Sequence, residues 1–222
     1  MKVLFIVAHP DDEALGLGGT IARHVQNGDE VYGISMTNGV GARGDNLTAI
    51  HNRIENSKKA SEILGFKWIN QYEFPDNAMD TVPLIEITKK IEEVKKTILP
   101  NIIYTHSSAD LNIDHRIVSQ ATLTAFRPQP NELWQEIRTF EVPSATDFGH
   151  KSITGSFNPN LYIDISKTIQ LKINALNIYF EEMRKFPHSR SFEGVKNLSL
   201  YRGSQVGILN SEAFEIIRRI ER

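Results

Sequence analysis

An alternation runs through the first half of the chain and leaves few folds open to it. Short runs rich in aliphatic and aromatic side chains, at Val3 to Ala8, Glu30 to Met36, Lys67 to Glu73 and Asn101 to His106, read as strands. Between and after them lie segments with helical spacing of apolar residues, at about Ala14 to Gln26, Thr48 to Leu64, Leu84 to Ile98 and Asp114 to Phe126. Asn27-Gly28, Gly65 and Pro100 stand where the first three of these helices should stop, because Gly takes the left-handed turn that ends a helix and Pro cannot continue one. A polar loop with Gly39, Gly41 and Gly44 precedes the second helix. Repeated strand-helix units specify a parallel sheet covered on both faces, so the expected fold is α/β, a Rossmann-like three-layer α/β/α arrangement with a mainly parallel sheet. Later the pattern weakens: Arg138 to Val142 and Leu161 to Ile165 read as strands, Ser166 to Lys185 as a long helix and Glu212 to Ile220 as a short terminal helix. No internal repeat or linker divides residues 1–222, so one domain is expected.

Composition removes several functions. The 25 basic and 27 acidic residues nearly cancel, which leaves no sequence-wide field to draw nucleic acid. With no cysteine, disulfides, thiolate zinc fingers and cysteine nucleophiles are excluded, and any metal must be held by nitrogen and oxygen. MKVLFIV is too short for a secretory signal and no apolar stretch could span a bilayer, so a cytoplasmic location is expected. Monomer and homo-oligomer both stay open.

Two segments carry most of the chemistry. The first strand runs into AHPDDEALGLGG at Ala8 to Gly19, and the fourth into HSSADLNIDH at His106 to His115. In open α/β sheets, ligands bind outside the carboxyl ends of strands, where the strand order reverses. If strands one and four flank that point, His9, Asp12 and His115 form a two-histidine, one-carboxylate set suited to a catalytic zinc with one open position. The same ligands tolerate iron(II) or cobalt. Asp11, beside a ligand but free of the metal, is placed to take a proton from water. A helix cap explains one or two of these carboxylates, but neither the third nor His9. His106 and Asp110 also have a simpler role in ordering the loop after strand four.

These residues resemble the LmbE-like or PIG-L-type zinc-dependent N-deacetylases. AHPDDE stands at Ala8 to Glu13, and the aspartate-histidine pair that closes the second signature stands at Asp114 and His115. The stretch RIENSKKASEILGF headed by Arg53, FPDN at Phe74 to Asn77 and FNPNLYIDIS at Phe157 to Ser166 are also similar to the family, so the likeness covers nearly the whole chain. The resemblance implies zinc ligation by His9, Asp12 and His115, general base catalysis by Asp11, and substrate binding by Arg53 and Asp76. One departure concerns the reaction. Many members have a histidine where this chain has Asn112, and an amide can donate to an oxyanion but cannot pass on a proton. Proton delivery to a leaving amine then falls to Asp11, or second to His106.

The function implied is hydrolysis of an acetamide, the N-acetyl group of an N-acetylglucosamine-containing sugar, glycoside or sugar nucleotide. Arg53 suits a phosphate or carboxylate of such a small molecule and Asp76 its hydroxyls. Two alternatives stay beside it, a metal-dependent phosphoesterase and a catalytically weak relative that binds acetylated sugars. A dinucleotide site built on Gly16, Gly18 and Gly19 is disfavoured, because Ile21 stands where the fingerprint needs its third glycine and three carboxylates would repel a pyrophosphate.

Overall fold

The computed structural model of the protein describes residues 1–41 and 47–221; Gly44 of the predicted polar loop lies outside them. Strand β1 (Lys2–Val7) is followed by α1 (Asp12–Gln26), β2 (Glu30–Ser35), α2 (Leu47–Leu64), β3 (Lys67–Gln71), α3 (Leu84–Ile98), β4 (Ile102–His106) and α4 (Ile113–Ala125). Then come β5 (Glu136–Phe140), a short α5 (Lys151–Thr154), β6 (Leu161–Asp164), α6 (Ile169–Ile178), α7 (Phe192–Ser204) and β7 (Ser211–Arg219). One seven-stranded sheet results, in the order β3-β2-β1-β4-β5-β7-β6. Strands β1 to β5 pair in parallel, and β7 joins β5 and β6 antiparallel.

The continuous apolar character of β1 follows from its place in the sheet. Val3, Phe5 and Val7 point into a core shared with Leu15, Ile21, Leu64 and Leu176 of α1, α2 and α6. Leu4, Ile6 and Ala8 point the other way, toward Ile87, Ile91 and Val118 of α3 and α4. A strand buried on both faces cannot alternate polar and apolar side chains. The order of strands reverses at β1, which lies between β2 and β4, so the loops leaving β1 and β4 open into one crevice. The architecture is the expected three-layer α/β/α fold with a mainly parallel sheet.

Two expected elements differ. Glu212 to Ile220 is no helix: it lies within β7 and beyond its end, and Phe214 sits between Phe140 of β5 and Leu161 of β6. Its apolar residues fit either period, and pairing on both sides satisfies a backbone that a terminal helix would have left in solvent. Ser166 to Lys185 is not one long helix either. A turn at 166–168 is fixed by Asp164 Oδ1, which accepts the Ser166 N–H at 2.9 Å, and by Thr168 Oγ1, which donates to the Gly19 carbonyl at 2.8 Å. At the other end a 3₁₀ turn at Phe180–Glu182 replaces the helix, and the Glu182 side chain pairs with Arg53. Helix α7 was not foreseen from the sequence, although Ser191 caps it by accepting the Gly194 N–H at 2.9 Å.

The glycines of the first motif serve packing. A Cβ on Gly16 would stand 2.4 Å from the Phe140 ring, and one on Gly19 would stand 2.8 Å from Ile165. They let α1 press against the sheet and the turn after β6. No described helix is long and apolar enough to cross a membrane.

Candidate active site

The turn between β1 and α1 sets the site. Asp11 precedes α1 at φ 140°, ψ −26°, a backbone conformation that L residues seldom adopt. Several contacts hold it there. The Asp11 N–H donates to Glu13 Oε2 at 3.0 Å, the Leu15 N–H donates to the Asp11 carbonyl at 2.9 Å, and Arg53 donates to the Pro10 carbonyl at 2.6 Å. The consequence is a divergence of three successive carboxylates: Asp12 faces the histidines, Asp11 lines a cavity, and Glu13 points inward to the Tyr179 hydroxyl at 2.8 Å. Burial pushes the Glu13 carboxyl up to about 8.

Residues far apart in sequence meet here. His9 Nδ1 lies 3.2 Å from Asp12 Oδ2 and 3.3 Å from His115 Nε2, and His115 Nε2 lies 3.4 Å from Asp12 Oδ2. One donor atom from each of His9, Asp12 and His115 falls within 4.8 Å of the others, and all three side chains are buried. Two imidazole nitrogens turned toward each other and one carboxylate oxygen make a donor set that fits a divalent cation. The opposite nitrogens are also engaged. His9 Nε2 lies 3.1 Å from Asp76 and 3.2 Å from Asp114, and His115 Nδ1 lies 3.0 Å from Asp110. Carboxylates behind ligating imidazoles fix ring orientation and tautomer. A second trio, His9, Asp76 and Asp114, is also close enough to hold an ion. It is the poorer site, since Asp114 already accepts the backbone N–H groups of Asn77 at 2.7 Å and Met79 at 3.1 Å.

Charge follows the same geometry. Burial alone would lower His9 and His115, but Asp114, Asp12 and Asp76 hold His9 well above its ordinary value, and Asp12 and Asp110 push His115 up to about 9. Burial would raise Asp12, yet His115 and His106 hold it well below the usual carboxylate range. Asp11 is raised, chiefly by burial and by Asp12, against the opposing pull of Arg53 and Arg190.

The cavity beside these groups measures about 90 Å³ and is lined by His9, Asp11, Asp12, His115, Arg53, Asp76, Asn77, Asn112, Glu182, Arg190 and Gly39. A larger hollow of about 350 Å³, at the ends of α3 and α4, contains none of the residues expected to bind metal, catalyse or bind substrate. Of those residues, only His106 does not line the smaller cavity. It is fully buried behind His115, its ring stacked at 4.0 Å, and its Nε2 accepts the Ala8 N–H at 2.9 Å. That places it as a support for His115 rather than within reach of a substrate. Asn112 lines the cavity but also caps α4, its Oδ1 accepting the Asp114 N–H at 2.8 Å while Nδ2 donates to Asn77 Oδ1 at 3.2 Å. Arg53 is buried and pairs with Glu182, with Asp11 3.4 Å away.

Sequence reasoning missed Glu13, Tyr179 and Glu182, gave Asp110 no role beyond ordering its loop, and weighed Arg190 only as one of five late basic residues, with Arg184, Lys185, Lys196 and Arg202, that could meet a phosphate-bearing substrate but more often form a solvated face. Glu13 lay within the motif, but no local signal tied the others to it; only the fold brings the 179–190 segment over the turn after β1.

Residues 4–126 match the family model described as PIG-L, GlcNAc-PI de-N-acetylase. The chain is 26% identical over 230 residues to diacetylchitobiose deacetylase of Thermococcus kodakarensis, covering 97% of this chain and 83% of that one. It is 26% identical over 185 residues to a probable N-acetyl-alpha-D-glucosaminyl L-malate deacetylase 2 of Bacillus cereus, covering 80% and 81%. In fold it matches N,N'-diacetylchitobiose deacetylase of Pyrococcus horikoshii with a TM-score of 0.76 at 22% identity, over 97% of this chain and 83% of that one.

Proposed function

The chain belongs to the PIG-L family, the GlcNAc-PI de-N-acetylases, and from that premise we propose that it removes the acetyl group from an N-acetylglucosamine-containing small molecule by metal-dependent hydrolysis. The observation that carries the reading is the convergence of His9, Asp12 and His115 on one point, with Asp11 beside them in the same polar cavity. The relatives named as deacetylases of diacetylchitobiose and of an N-acetylglucosaminyl malate support the substrate class. The unit is the whole chain as one domain, since β5 to β7 continue the sheet that β1 to β4 begin.

His9, Asp12 and His115 would hold zinc, which supplies a Lewis acid that polarises an amide carbonyl and makes water acidic near pH 7. Asp11 takes a proton from the attacking water as its oxygen bonds to the carbonyl carbon. Arg53, 3.4 Å from Asp11 and anchored on Pro10 and Glu182, keeps that carboxylate aimed. One N–H of Asn112 Nδ2 goes to Asn77; the other donates to the carbonyl oxygen as it gains charge. The C–N bond then breaks, and Asp11 returns its proton to the departing amine, giving acetate and a free amino sugar. Asp76, in the same cavity, takes sugar hydroxyls.

The test is acetate release from N-acetylglucosamine, diacetylchitobiose and N-acetylglucosamine phosphates by zinc-loaded protein. Turnover that stops with chelator and returns with zinc is expected. No acetate from any of them would overturn the reading.

A further inference from the structure

Five basic residues cluster late in the chain, at Arg184, Lys185, Arg190, Lys196 and Arg202. Among them only Arg190 lines the cavity. Arg202 is held away by Glu141 at 2.6 Å, and Arg184 donates to the carbonyls of Glu181 and Met183.

The backbone around Arg190 is closed on itself. Its N–H donates to His188 Nδ1 at 3.0 Å, and its carbonyl accepts the Arg184 N–H at 3.0 Å. Nε donates to Ser144 Oγ at 2.9 Å, which fixes the plane of the guanidinium. The two terminal nitrogens make no hydrogen bond among the described residues, and the nearest carboxylate, Asp11, stands off at 3.9 Å. The side chain is only 19% exposed. Arg53 differs, being committed to Pro10, Glu182 and Asp11. Arg190 is thus a fixed, largely desolvated fork whose outer donors face the space where the rest of a substrate must lie. A planar fork of this kind matches a carboxylate or phosphate in two parallel bonds, and such bonds gain strength where water is scarce.

On the deacetylase reading above, we propose that Arg190 anchors an anionic substituent, a carboxylate or a phosphate, on the N-acetylated sugar, and so determines which sugars the site takes. It is a specificity residue that contacts a substituent of the sugar and takes no part in the chemistry at the acetamide.

The experiment compares zinc-loaded wild type, Arg190→Gln and Arg190→Lys on N-acetylglucosamine, its 1-phosphate and 6-phosphate, and the carboxylate-bearing N-acetylmuramic acid. Wild type should favour at least one anionic sugar over the neutral one by about tenfold or more in kcat/KM, mainly through KM. The ratio should collapse in Arg190→Gln and survive in part in Arg190→Lys, and the phosphate and carboxylate arms identify the anion. Calorimetric titration of metal-stripped protein with each of these sugars gives a second readout, in which at least one anionic sugar binds more tightly than the neutral one and that advantage is lost in Arg190→Gln. Equal rates on neutral and anionic sugars, or a preference kept by Arg190→Gln, would overturn the anchor alone. Acetate from none of the sugars would overturn the deacetylase reading, and the titration would still decide whether Arg190 binds the anion.

Discussion

Glu13 holds the Asp11 N–H at 3.0 Å through one carboxylate oxygen and the Tyr179 hydroxyl at 2.8 Å through the other. The third acid of the motif is therefore the brace that keeps Asp11 at φ 140°. Removing it leaves two buried donors without an acceptor, each costing about 1–3 kcal/mol. Glu13→Ala should lower the unfolding free energy of metal-stripped protein by about 2 kcal/mol or more in urea, and Tyr179→Phe by about 1 kcal/mol. A change within error for both would show that the turn is held by other contacts.

Asp11 shares the cavity with the predicted ligands, but no donor atom of its own belongs to the trio that could hold an ion. Metal binding and proton transfer should accordingly separate. Asp11→Asn is expected to keep one bound zinc by elemental analysis while acetate release falls by about 10²- to 10⁴-fold. Loss of the metal along with activity would move Asp11 into the ligand set.

Asp110 is fully buried, with one carboxylate oxygen 3.0 Å from His115 Nδ1 and the Thr146 hydroxyl donating to it at 2.8 Å. It touches no predicted substrate position; its effect should pass through the imidazole. Asp110→Ala should weaken zinc binding by about 10- to 100-fold, measured by competition with a chromophoric chelator. An unchanged affinity would mean that packing against His106 alone orients the His115 ring.

How far the sequence carried this reading depends on the range of the contacts involved. The β1 and β4 ends were readable because each strand runs straight into its own polar cluster, and the parallel order then brings His9 and His115 together. Asn112 is expected from the sequence to donate to an oxyanion, and the cap of α4 that the structure shows it making is not among those expectations, although an Asn at the start of a helical segment is a cap signal. The last quarter of the chain was harder. EAFEIIRRI fits helix and strand periods alike, and only the gap between β5 and β6 decides for the strand. Glu182 and Arg190 reach the cavity from turns with no motif, 129 residues from Arg53 in one case, and no local pattern records such a meeting.

Stability should also depend on pH at a point remote from the cavity. His24 Nδ1 lies 2.7 Å from Asp29, Nε2 lies 2.9 Å from the Tyr104 hydroxyl, and burial lowers the imidazole below 6.5 despite Asp29. The folded protein then binds this proton less readily than the unfolded chain, so stability falls as pH drops through about 6.5 toward the folded value, and is fully present above it. The lowered Asp29 acts only further down, below the ordinary aspartate range. The stability gap between wild type and His24→Gln, in metal-stripped protein, should narrow from pH 8 to pH 5. A gap independent of pH would place the folded imidazole at its unfolded value.

Helix α1 offers a contrast between neighbouring glycines. Gly to Ala in an ordinary helix interior gains about 1 kcal/mol. At Gly16 the added methyl would stand 2.4 Å from Phe140 Cδ2 and 3.1 Å from the Glu141 carbonyl, so the ring must move or the helix must lift off the sheet. Overpacking of this kind costs about 1–3 kcal/mol and should outweigh the gain in propensity. At Gly18 the nearest atom is Lys172 Cγ at 3.3 Å, a contact that a shift of a few tenths of an ångström relieves. Gly16→Ala should thus be destabilised in urea while Gly18→Ala stays near wild type. The displaced ring has a further effect, because Phe140 packs at 4.8 Å on His106, which in turn stacks on His115. Gly16→Ala should therefore also weaken zinc binding, and pairing it with Phe140→Leu should restore part of both losses. If the double variant recovers stability but not metal affinity, the path from α1 to His115 does not run through the Phe140 ring.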